Sequence, residues 1–104
     1  MQQAQRKAAE LMGECGLTAS TQVRCLDLIS EVGELAKEVL KATDYGNIQE
    51  PVHNTRLEEE LGDCVFSLLA LAEAMGLDTE AALESALGKY RSRWLQQGEI
   101  GSGR

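Results

Sequence analysis

Two long segments, Thr21 to Ala42 and Thr55 to Met75, repeat apolar residues at intervals of three and four, and the chain's only proline, Pro51, lies between them. A helix returns a side chain to the same face at those intervals, so both segments are expected as amphipathic helices. Cys25, Leu28, Ile29, Val32, Leu35, Ala36, Val39 and Leu40 form the apolar arc of the first. Leu57, Leu61, Cys64, Val65, Leu68, Leu71, Ala72 and Met75 form that of the second. The intervening "TDYGNIQEPVHN" breaks the pattern with Gly46, Asn47 and Pro51, and reads as a loop that can fold over a site between the helices it joins.

The flanking segments complete an all-α reading. A shorter helix is expected from Gln3 to Met12, stopped at Gly13, with Gly16 closing the turn. Thr55 and Glu58 have capping-box spacing, and Gly76 is placed to end the helix they open. Asp78 or Thr79 caps a fourth helix to Gln97, with Ala82, Leu83, Ala86, Leu87, Tyr90 and Trp94 on one side. The 104 residues make one domain, a four-helix-bundle-like unit over 1–97 with a flexible tail at 98–104. Because the fourth helix is polar for much of its length and the third is apolar or small nearly all round, the core is expected to be shared with further copies, as a homodimer or homotetramer.

Acidic residues outnumber Lys and Arg by 17 to 10. That balance argues against a stable nucleic-acid partner and favours cations. Three widely spaced cysteines with no CxxC pair, and no apolar secretory start, point to a reducing cytoplasmic setting, with Cys25 and Cys64 expected in the core. The apolar stretches are too short for a membrane span, so no membrane partner is expected.

The charge has a pattern. At about 100° per residue, Asp27, Glu31, Glu34 and Glu38 fall in a strip about 60° wide, near the side opposite the apolar arc. Like charges at these spacings repel, and Lys37 and Lys41 recover only a few tenths of a kcal/mol each. The second long helix carries Glu60 and Asp63 beside its apolar arc, next to small Ser67, Ala70 and Ala74. Side by side, the two helices bring Glu31 and Glu34 to face Glu60 and Asp63, four hard oxygen donors suited to Mg²⁺ or Mn²⁺. Gly33 and Gly62 sit inside the pairs and are expected to permit close backbone approach. A carboxylate not taken up as a ligand, Glu34 or Glu38, is a candidate to accept a proton from water. Taken alone, the spacing of each pair fits a solvated helix face better than a metal site.

"SEVGELAKEVLK" followed by "EEELGDCVFSLLALAE" closely resembles the all-helical MazG-like nucleotide pyrophosphohydrolases, whose hallmark is ExxE followed after a gap by ExxD. "GLDTEAALESALGKYRSRW" is similar to the family's next helix. The resemblance implies an Mg²⁺-dependent enzyme that cleaves a nucleoside triphosphate between its α and β phosphates, giving the monophosphate and pyrophosphate. It places Glu31, Glu34, Glu60 and Asp63 in the ligand motif and Glu38 one turn farther as an accessory contact. Ser30 stands where the family often has a second acid; Glu34 is the preferred candidate for water activation. A phosphate-rich substrate also needs positive groups, for which Lys37, Lys89 and Arg93 are the leading candidates, while Tyr45 and His53 in the loop are candidates for contact with the base. Two other readings fit the same residues. One is a helical metal- or nucleotide-binding or regulatory module without catalysis. The other, a carboxylate-bridged iron protein, lacks the Glu-x-x-His motif that such bundles use.

Overall fold

The computed structural model describes residues 1–101, and four α-helices account for most of them: α1 (Gln2–Cys15), α2 (Thr21–Ala42), α3 (Thr55–Met75) and α4 (Thr79–Gln97). The remainder of the expected tail, 102–104, lies outside the described residues. No helix among the described residues is long and apolar enough to cross a membrane.

Local chemistry fixes most helix ends. Ser20 Oγ accepts from the Val23 amide at 3.2 Å to open α2, and Asp78 Oδ1 accepts from the amides of Glu80 and Ala81 to open α4. These hydrogen bonds, led by the one from Ala81, hold the Asp78 carboxyl below its usual pKa. Gly76 ends α3 at a φ of 66°, and the Leu77 amide bonds back to the Ala72 carbonyl.

Two expected ends are corrected. α1 runs through Gly13 to Cys15 and stops at Gly16, whose φ of 64° allows the Leu17 amide to reach the Met12 carbonyl at 2.9 Å. A glycine inside a helix weakens it without ending it. α3 is capped by Asn54, whose Oδ1 accepts from the Leu57 amide at 2.8 Å, so Thr55 is the first helical residue and not the cap.

The loop between α2 and α3 is tied at its base. The Val52 amide donates to the Ala42 carbonyl at 2.9 Å, and the Tyr45 amide to Leu40. Asp44 and Tyr45 take left-handed backbone conformations, with φ of 48° and 55°. That closure turns the chain back, and α3 runs antiparallel to α2: Glu31 lies near Glu60 and Asp63, while Glu38, farther along α2, meets Arg56, earlier on α3.

The α2–α3 pair is the principal packing in the chain, with α1 laid against α3 and α4 meeting α1 near its start. The covered edge of α2 is Arg24, Leu28, Glu31, Leu35, Glu38 and Ala42. Only Leu28 and Leu35 from the expected apolar arc face the interior; Leu26 is 64% exposed, Ile29 63%, and Val32, Val39 and Leu40 lie open. The covered edge therefore includes part of the acidic strip. Cys64 is buried as expected, whereas Cys25 is exposed, because it lies on the uncovered side of α2.

The core is correspondingly thin. Ala8, Ala42, Cys64, Leu69, Ala70 and Ala72 are its buried apolar residues, and among the described residues no large side chain is fully buried. The accessible area is 7547 Å², against about 5,700 Å² for a folded chain of this mass. The radius of gyration is 16.6 Å, against about 13 Å for a compact chain of this length.

Gln5 joins three helices. Its Nε2 donates to Glu73 Oε1 at 2.9 Å and to the Leu77 carbonyl at 2.7 Å, and its Oε1 accepts from the Thr79 amide and hydroxyl at 2.8 and 2.6 Å. One buried amide thus uses its full hydrogen-bonding capacity at the α3–α4 turn. Gln5→Ala should lower unfolding free energy by about 1–3 kcal/mol, since it strands buried polar groups. Urea denaturation followed by circular dichroism at fixed protein concentration checks this, and an unchanged midpoint would contradict it.

Candidate metal centre

On α2, Glu31 lies on the edge turned toward α3; on α3, Glu60 and Asp63 are three residues apart and share a face. Antiparallel packing therefore converges their carboxylates. One oxygen from each lies within 4.8 Å of the others, with Glu31 and Glu60 half-buried and Asp63 exposed. Opposite ligands of an octahedral Mg²⁺ are about 4 Å apart, so these donors fit a small divalent cation after modest side-chain adjustment.

The electrostatics agree with that donor set. Burial raises the pKa of Glu60 above its usual value, and the charges of Asp63, Glu31 and Glu34 raise it further, opposed by Arg56. Glu34 is thus close enough to act on Glu60, although it is exposed and outside the three-oxygen group. Cys64, beneath the cluster, has its thiol pushed up by burial and by Glu31, Glu60 and Asp63, which keeps it protonated and unreactive at neutral pH.

Glu38 is placed differently. The residue is 3% exposed, and its carboxylate faces Arg56 Nε at 3.5 Å and Lys41 Nζ at 3.6 Å. The sequence reading missed Arg56, although its position four residues before Glu60 puts it on the same face of α3.

The structure scatters the other candidates. Lys37 is exposed on α2, and Tyr45 and His53 are exposed in the loop. Lys89 Nζ lies 4.9 Å from the centre of the Tyr90 ring, and Arg93 donates to the Ile100 carbonyl at 3.4 Å. Both are on α4, which makes no substantial packing with α2 or α3, so the chain by itself does not bring them to the carboxylates. Trp94, on the apolar side of α4, is 59% exposed.

Gly33 and Gly62 do not mark a close approach, since a Cβ at either would meet nothing within 4 Å. Small residues do leave room beyond the acidic pairs: Ser67 and Ala70, with Arg24, Asp27 and Phe66, line a cavity of about 40 Å³.

The fold and the converging acids define an all-α protein whose central helix pair presents a carboxylate cluster. Residues 20–95 match the MazG nucleotide pyrophosphohydrolase domain, and the chain belongs to that family. It is also 32% identical over 66 residues to the uncharacterized protein YpjD of Bacillus subtilis (strain 168), an overlap covering 64% of this chain and 60% of that relative. No solved structure matches the chain.

The raised pKa of Glu60 has a definite sign. The folded chain holds this proton more tightly than the unfolded one, so the group's contribution to stability is complete below the unfolded pKa and lost as pH rises through the folded pKa. In chelator-treated buffer, Glu60→Gln should melt above wild type at neutral pH, and the gap should close on acidification through the raised Glu60 pKa. Paired thermal melts across pH measure it; a gap that widened on acidification would reverse the assignment.

Proposed function

We propose that the chain hydrolyses a nucleoside triphosphate to the monophosphate and pyrophosphate, using a divalent cation. The observation that carries this reading is the convergence of Glu31, Glu60 and Asp63 across α2 and α3, within a domain of the MazG pyrophosphohydrolase family. These three would hold the cation, Mg²⁺ or Mn²⁺ by the hardness of the donors, with Glu34 as a further ligand or neighbour. When bound, such a cation supplies positive charge to phosphate oxygens and makes a nearby water more acidic.

The protein's own part is proton handling and placement. Glu34, exposed beside the cluster and outside the three-oxygen group, is the candidate to accept the proton of the attacking water. Glu38 faces two cations and is left out of that transfer. Lys37, Lys89, Arg93, Tyr45 and His53 stand as candidate substrate contacts, with Lys89 and Arg93 requiring a second copy to bring α4 across the acidic helices. The bare faces support a homodimer or homotetramer: an accessible area about 1,800 Å² above that expected for a compact chain is enough for a standard-sized interface.

A panel of ribo- and deoxyribonucleoside triphosphates, standard and modified, with Mg²⁺ should yield pyrophosphate and monophosphate from at least one member. Release of single phosphate from all, or tight binding without product, would favour a different hydrolase or a binding module. Glu31→Gln, Glu60→Gln and Asp63→Asn should each cut turnover at least about 100-fold, and Glu34→Gln by a similar factor, with helicity retained.

Sedimentation equilibrium should detect a dimer or tetramer. Ile29→Glu should shift the population toward smaller species, because it puts a charge on the bare face of α2. A wild-type chain that sediments as a monomer at all concentrations would remove the oligomer from the proposal.

A further inference from the structure

Arg24 is a charge buried without a partner of opposite sign. It is 8% exposed, on the edge of α2 turned toward α3, and among the described residues no carboxylate lies within ion-pair distance of it. Its guanidinium donates from Nη2 to the Leu17 carbonyl at 2.8 Å, and among the described residues that is the side chain's one hydrogen bond. A guanidinium carries five N–H donors, so the bond to Leu17 uses a small part of the group. Tying down the turn between α1 and α2 does not explain the rest, because a single ammonium could make that bond. Burying a charge this far without an ion pair costs stability, and the position calls for a reason.

The reason lies in what Arg24 borders. With Asp27, Phe66, Ser67 and Ala70 it lines a cavity of about 40 Å³ between α2 and α3. Asp27 is one turn before Glu31, and Ser67 one turn after Asp63, so the cavity adjoins the carboxylate cluster on the side toward the start of α2. By the helical rise, Arg24 is about 10 Å along α2 from Glu31. With a phosphate held at the cluster, the sugar and base of the same nucleotide reach that far. A free anion suits the cavity poorly, because Asp27 and the cluster repel it. The polar edge of a base suits it well, offering acceptors to Arg24 and a donor to Asp27, with Phe66 as an apolar wall. A space this small takes the edge of a ring and leaves the sugar outside.

The order of groups on that edge selects the base. A guanidinium fork takes two adjacent acceptors, and the carboxylate beside it takes a donor. Guanine and hypoxanthine present N7, O6 and then N1–H on the side away from the sugar. Adenine, uracil and thymine alternate acceptor and donor there, and cytosine's adjacent acceptors include O2, which lies beside the sugar.

We propose that Arg24 and Asp27 read the base of the nucleotide, and that this base is a 6-oxopurine whose N7 and O6 accept from Arg24 while its N1–H donates to Asp27. This rests on the pyrophosphohydrolase reading and deepens it.

The test uses the full chain in Mg²⁺ and reads kcat/KM for GTP, ITP, ATP, CTP and UTP. GTP and ITP should exceed each of the others at least about 10-fold. In 7-deaza-GTP the N7 acceptor is replaced by carbon; this should cost wild type about 10-fold and Arg24→Met nothing, since the variant has already lost the donor. Arg24→Met should fall about 10-fold on GTP, chiefly through KM, and less than about twofold on ATP. Inorganic tripolyphosphate has no base, and calorimetry should find it bound equally by wild type and Arg24→Met. Asp27→Ala should lower GTP and ITP alike. Equal losses on every nucleotide in Arg24→Met would assign it a structural role and overturn the proposal. So would another base preferred over GTP, or 7-deaza-GTP turned over by wild type as well as GTP. Should Arg24→Met not fold, Arg24→Lys takes its place, keeping a donor for Leu17 while losing the fork, and the wild-type comparison of GTP with 7-deaza-GTP needs no variant. Absence of turnover by wild type would defeat the hydrolase reading separately; calorimetric binding of GMP against AMP, in wild type and Arg24→Lys, then decides the base contact.

Discussion

The antiparallel contact of α2 with α3 determines nearly everything else in this molecule, because the edge of α2 that it covers carries charge as well as apolar side chains. Leu28, Leu35 and Ala42 supply the apolar part of the seam, while Glu31 and Glu38 ride on the same edge. Burying carboxylates against a helix that already holds Glu60 and Asp63 is unfavourable in isolation. It is tolerable where a positive charge answers each one. For Glu38 the answer is within the chain, in Arg56 and Lys41. For Glu31, Glu60 and Asp63 the fixed charges nearby are mostly negative, and the raised pKa of Glu60 is the electrostatic record of that imbalance.

The same register explains the thin core. Turning the acidic edge inward turns Leu26, Ile29, Val32 and Leu40 outward, and among the described residues no other helix is positioned to cover them. α1 lies against α3, and α4 departs from the α3 turn with only its start anchored, through Gln5 and Thr79. Site formation and incomplete burial are therefore two outcomes of one choice of helix face.

Much of this was legible in the sequence, for reasons that are local. Asp78, Gly76 and the proline-bearing loop act through neighbouring backbone groups, and the start of α4, the end of α3 and the break between α2 and α3 followed from them. The acidic pairs could be read because three-residue spacing fixes a shared face whatever lies opposite. Gly13 misled because a glycine stops a helix only where the chain then adopts a left-handed turn, and that happens at Gly16. Asn54 was overlooked because a capping-box spacing one residue later competed for the same end.

What periodicity could not supply was which part of a broad apolar arc finds a partner. The arc of α2 spans enough of the helix that two different edges are plausible seams, and hydrophobicity alone favours the one centred on Ile29 and Val32. The structure uses the other edge, where fewer apolar residues are covered but carboxylates from two helices converge and Arg56 can reach Glu38. Arg56 was invisible for a related reason: within its own helix it is spaced only to Glu59 and Glu60, and the partner it pairs with lies 18 positions earlier, across the loop. Charge pairs between helices depend on register, and register here is fixed by the closure from Val52 to Ala42 as much as by side-chain packing. A seam that sacrifices apolar burial to gather like charges is hard to account for by stability alone, and this is the strongest physical argument that the cluster exists to meet a cation.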